Sequence, residues 1–106
     1  KRKQDMTYTA EQMALKAHIQ AENEQSRRQM EETEGLWISM MTDDLQHWAD
    51  YGIYNVEQYE AYLYHCCAYE IISDRTSKSY ARSVLADCKT VAEMKAKVKF
   101  YAPEKV

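Results

Sequence analysis

Apolar residues recur at three- and four-residue steps across residues 55–72, NVEQYEAYLYHCCAYEII, more densely than anywhere else in the chain. Val56, Tyr59, Leu63, Cys66, Cys67 and Ile71 share one broad face, which predicts a helix packed on a core. Tyr62 and Tyr69 border that face. Tyr64 is expected on the opposite side, beside Glu57, Glu60 and Ala68. Asn55 suits the N-cap, because its short side-chain oxygen can accept a bond from a free amide of the first turn. Gln58, three residues on, completes a pair of the capping-box kind.

Upstream, Thr9 with Gln12 repeats that cap signature, and Tyr8, Leu15 and Ile19 share a face behind it. The stripe then fails, since ENEQSRRQ at residues 22–29 offers nothing apolar, and it resumes weakly at Met30 and Trp37. Glu24–Arg28, Arg27–Glu31 and Arg28–Glu32 stand one helical turn apart. A helix is expected over residues 9–33. Its polar part is read as a solvated face, or as an arm that completes itself on a partner or a second copy. Residues 1–5 are expected to be a frayed, charged end.

Gly35 is the first break signal. Trp37, Met41, Leu45 and Trp48 then step by four, four and three. This leaves two arrangements open: one helix over 36–51, or a short turn followed by a helix from 43 with Asp43 and Asp44 at its N-terminus. Gly52 is a stop signal, and SDRTSKS at 73–79 is rich in turn and cap residues. A fourth helix over about 77–87 would turn Ala81, Val84, Leu85 and Cys88 inward. Thr90 with Glu93 starts a fifth, carrying Val91, Met94, Val98 and Tyr101, which Pro103 ends. The expected fold is all-α: a small bundle of about four helices preceded by a longer polar helix. Residues 1–35 form the arm and 36–106 the compact domain.

Composition narrows this without changing it. A length of 106 residues fits one modest core. Two Gly and one Pro are too few for a turn-rich β-sandwich or barrel. No apolar run approaches the roughly 20 residues that cross a bilayer, and no charged-then-apolar leader is expected. Cys66, Cys67 and Cys88 are an odd set with two members adjacent. They are read as reduced, with Cys66 and Cys67 as small buried hydrophobes, which suggests a cytoplasmic protein.

Charge does change the picture. Between Arg28 and Arg75 there is no Lys or Arg, while ten acids, both tryptophans and six of the nine tyrosines fall in that window. Residues 75–106 hold eight bases and three acids, net +5; residues 1–74 hold six bases and fourteen acids, net −8. Three readings follow. The basic helices can simply neutralise the acidic ones within the fold, through ion pairs worth little each. An acidic, aromatic-rich face can attract a basic partner and supply hot-spot contacts. Or the basic end can neutralise phosphates, although an acidic chain is a poor nucleic-acid binder.

Catalytic and metal chemistry find little footing. At most His47, one of Cys66 or Cys67, and Cys88 could converge on an ion, and no metal-ligand spacing supports it. A reactive cysteine needs an electropositive, partly open site, and this window is acidic. The pairs Asp43–Asp44 and Glu57–Glu60 lack a Gly-rich phosphate loop. His18 and His65 have no spacing that singles them out. No catalytic residue, metal or cofactor is assigned, and no enzyme activity is expected.

The leading expectation is a cytoplasmic protein-binding or inhibitor module for a protein with a basic surface. Asp43, Asp44, Asp50, Tyr54, Glu57, Glu60 and Tyr64 are its contact residues. Carboxylates set out on helices can imitate phosphate spacing. By analogy of size and charge the expectation extends to a phage-like or mobile-element DNA mimic aimed at nucleic-acid machinery. The alternatives are a nucleic-acid-binding regulator using Arg75, Lys78, Arg82, Lys95 and Lys99, and a homo-oligomeric scaffold pairing through its first helix.

Overall fold

Thr9 starts the first helix as its sequence predicts. Its hydroxyl accepts the Gln12 amide at 3.0 Å, and the Gln12 side chain accepts the Thr9 amide at 2.9 Å. Two of the helix's otherwise unpaired amides are satisfied in this way. The computed structural model describes residues 8–105, so the end expected to fray at residues 1–5 lies outside them. Helix α1 spans Ala10–Glu32 and buries Gln12, Leu15 and Ile19. Thr33 caps its C-terminus, and Gly35 follows with φ at +84°, a left-handed conformation that a side chain would strain.

Residues 36–44 are not helical. They form an extended strap, and the next helix, α2, is the six residues Leu45–Asp50. Of the two arrangements the sequence left open, the later start is the one formed. Asp44 is the N-cap, its carboxylate accepting the Gln46 amide at 3.1 Å. Gly52, with φ at +77°, turns the chain out of α2, and the Ile53 amide closes the turn on the Trp48 carbonyl at 2.9 Å. Leu45, Trp48 and Ile53 are buried, and α1 adjoins α2.

Three longer-range helices follow: α3 over Val56–Arg75, α4 over Lys78–Leu85 and α5 over Val91–Tyr101. Ser77 caps α4, accepting the Tyr80 amide at 3.2 Å. Thr90 and Glu93 form the expected capping box on α5. Glu93 also accepts the Lys89 amide at 2.6 Å. These backbone bonds hold its carboxyl below the usual carboxylate range. Pro103 opens a single 3-10 turn, Pro103–Lys105. The fold is all-α, with no strand among the described residues, and no described helix is long and apolar enough to cross a membrane.

The buried core of α3, α4 and α5 is Ala61, Ala68, Ile72, Ala81, Leu85, Met94 and Val98. This corrects the expected face of α3. Ala68, assigned outward, is fully buried, and Tyr64 is half-buried against the core. Leu63, Cys66 and Cys67, assigned inward, are exposed. The inward stripe runs Ala61, Tyr64, Ala68, Ile72, at steps of three, four and four. Ala61 and Ala68 of this stripe share the buried cluster with Ala81 of α4, small side chains that fit a packed interior. Tyr59 is buried as well.

By compactness the chain divides into two units, Lys1–Val56 and Glu57–Val106. The first holds α1, the strap and α2; the second holds α3 from its second residue on, α4, α5 and the terminal turn.

Candidate functional site

In the first unit the acidic candidates have structural work. The strap lies along α1, bound by a stripe of its polar side chains. Asn23 donates its side-chain amide to the Met41 carbonyl at 2.7 Å and accepts the Met41 amide at 3.1 Å. Gln20 donates to the Asp43 carboxylate at 2.8 Å, and Lys16 reaches the Asp43 carbonyl at 3.3 Å and its carboxylate at 3.6 Å. The Met30 sulfur lies 3.2 Å from the Ile38 amide. From the other side the Trp48 indole N–H donates to the Thr42 carbonyl at 2.8 Å. Lys16, Gln20, Asn23 and Met30 are spaced four, three and seven apart, one face of a helix.

Asp43 is therefore held by its own chain. The Gln20 hydrogen bond, with Lys16 nearby, keeps its carboxyl below the usual range against the opposing effect of burial. Asp44 caps α2, and Asp50 accepts the Gln46 side-chain amide at 2.9 Å. Tyr54 is about half exposed in the link to α3. Trp37, expected on a helix face, stands 78% exposed on the strap, with Leu36 and Met40 also exposed.

In the second unit Glu57 and Glu60 are exposed on α3. Glu60 and Tyr64 line an open groove of about 380 Å³ together with Leu63, Cys67, Val91 and Lys95. Three of these six are α3 residues that the sequence reading turned the other way. The Lys95 ammonium sits 5.8 Å from the centroid of the Tyr64 ring, a cation–π geometry. Burial, and to a smaller extent the neighbouring Cys67 thiol, raises the Tyr64 hydroxyl above its ordinary pKa. The groove thus has an apolar floor, a carboxylate on one flank and an ammonium on the other. Its volume falls in the range of ligand sites, and its open shape suits a side chain presented by another macromolecule.

Three of the five basic candidates have partners within the second unit. Arg75 pairs with Glu104 and donates to the Tyr101 carbonyl at 3.4 Å. Arg82 donates to the Tyr69 hydroxyl at 3.2 Å, and Lys95 is committed to the Tyr64 ring. Lys78 and Lys99 are exposed and make no ion pair among the described residues. Arg82 of α4 and Lys95 of α5 thus meet tyrosines of α3, and the ion pair of Arg75 is with Glu104 of the same basic segment.

Two features escaped the sequence reading. One is the strap and its polar stripe. Its only trace was the spacing of Lys16, Gln20 and Asn23, which any solvated helix can show. The other is Phe100, 77% exposed at the end of α5, its ring 4.9 Å from that of Tyr101. Tyr101 in turn meets Tyr80 edge-on, their hydroxyls 3.0 Å apart. A lone Phe directly after Lys99 could have drawn notice as an apolar residue on the polar side of a stripe. No protein-family model, curated protein or solved structure matches this chain.

Proposed function

We propose that this protein is a non-catalytic protein-binding module, and that the groove between α3 and α5 is its docking seat. The observation that carries this is the groove itself: Leu63, Tyr64, Cys67 and Val91 form an exposed apolar trough beside acidic positions of α3. Leu63 and Cys67 lie on the same flank of α3 as Glu60, Glu70 and Asp74, and α3 holds no Lys or Arg before Arg75. A partner that fits would present an apolar anchor flanked by Lys or Arg. The anchor would supply most of the binding energy and the charges would set orientation and encounter rate. This keeps the basic-surface partner expected from the sequence but moves the contact residues. Glu60 and Tyr64 stay, Leu63, Cys67 and Val91 join, and the proposal does not rest on Asp43, Asp44 or Asp50.

A photo-crosslinking amino acid placed at Leu63 tests the reading in living cells. The expected result is a discrete protein adduct, absent when the same group replaces exposed Gln29 of α1. Adducts of equal yield from both positions, or none from either, would refute it.

A further inference from the structure

We infer that the groove's occupant is a second copy of this chain, entering through Phe100. The inference rests on the docking reading above and names its partner. That reading calls for an apolar anchor flanked by basic side chains, and α5 carries one. Phe100 is 77% exposed, its sequence neighbours are Lys99 and Tyr101, and Lys97 stands one turn before it. Lys97 and Lys99 make no ion pair among the described residues. A large aromatic side chain left so far in water, with lysines one and three residues before it in the chain, has the composition of an interface hot spot. The receiving side is complementary on its α3 flank: an apolar trough of about 380 Å³ can take one aromatic ring, and Glu60 borders it there, while Lys95 stands on the α5 flank, over the Tyr64 ring.

The chain cannot satisfy itself. Val91 and Lys95 mark the groove side of α5, and Phe100 lies five residues beyond Lys95, about 140° further round the helix. Donor and acceptor are therefore different surfaces of one molecule. An interface between two such surfaces is head-to-tail, and each added copy leaves one donor and one acceptor open. The expected assembly is a concentration-dependent series or a closed ring, held by one repeated contact. It does not use the first helix.

The test follows from that asymmetry. Sedimentation of the full chain is measured for wild type, Phe100→Glu and Leu63→Arg, with circular dichroism to show that each variant folds. Both sites are exposed, so neither change disturbs the core. Wild type is expected to grow in mass with concentration, and each variant alone to weaken association by at least about ten-fold. An equimolar mixture of the two variants is expected to give a species of twice the single-chain mass. In it the intact Phe100 of one chain seats in the intact groove of the other, and both ends are blocked. A wild type that stays monomeric at every concentration, association untouched by Phe100→Glu, or a mixture that stays monomeric would each overturn the inference. If the Leu63 crosslinker still traps a different protein in those cases, the docking reading survives and only its partner changes.

Discussion

Asn23→Ala separates two accounts of the polar middle of α1 by the sign of its effect. If residues 20–29 were merely solvated, alanine would stabilise the helix, by about 0.5 kcal/mol from intrinsic propensity. The structure gives Asn23 two hydrogen bonds to the backbone of Met41, at 2.7 and 3.1 Å. Each such bond contributes about 1 kcal/mol net, and both Asn23 and Met41 are half-buried, so the stranded Met41 groups regain only part of their hydration. Setting a loss of about 2 kcal/mol against the propensity gain leaves a net destabilisation of about 1–1.5 kcal/mol. That cost falls on the strap first. Native-state hydrogen exchange at the Met41 amide should lose protection by roughly ten-fold, while amides in the core of α5 hold theirs. Gln25→Ala, on an exposed position of the same helix, is the control and should be neutral or slightly stabilising. An Asn23→Ala protein that melts at or above wild type, with Met41 exchange unchanged, would refute the strap as described.

Further tests use the same logic. Thr90→Ala removes the cap of α5 and should cost about 1 kcal/mol in denaturant unfolding, with Thr90→Ser restoring most of it. The Asp43 carboxyl is lowered in the folded state, so its stabilisation is complete above the unfolded carboxylate value of about 3.9 and is lost as pH falls through the lower folded value. Since its side chain is 39% exposed, the contribution is about 0.2–1 kcal/mol. Asp43→Asn should flatten that part of an acid-unfolding curve. Mild alkylation read by peptide mass spectrometry should modify exposed Cys66 and Cys67 before Cys88, whose half-buried thiol is pushed up in pKa chiefly by burial. Cys88 reacting first would contradict the facing of α3 and the burial of the link after α4. Tryptophan emission should split the same way: Trp48→Phe leaves the red, readily quenched signal of Trp37, and Trp37→Phe leaves the blue, protected signal of Trp48, which is 1% exposed.

Thr9, Ser77, Thr90, Gly35, Gly52 and Pro103 mark helix ends in the structure where they mark them in the sequence. A cap needs partners no more than three or four residues away, so the sequence already contains both halves of the interaction. The inward stripe of α5, Val91, Met94, Val98 and Tyr101, was legible for a related reason: Lys95, Lys97 and Lys99 interrupt the rest of that short helix, so the stripe was its broadest apolar face. On α3 periodicity could not choose. Tyrosines, alanines, cysteines and leucine surround the helix, and the face that was buried is the one carrying Ala61, Ala68 and Ile72. That single rotation turned Leu63 and Cys67 outward and made the groove. The strap is non-local in the same sense, since its backbone finds partners 18 to 27 residues earlier in α1. Helix boundaries were settled by neighbours along the chain. Which side each helix shows to water was settled by side chains that meet only after folding.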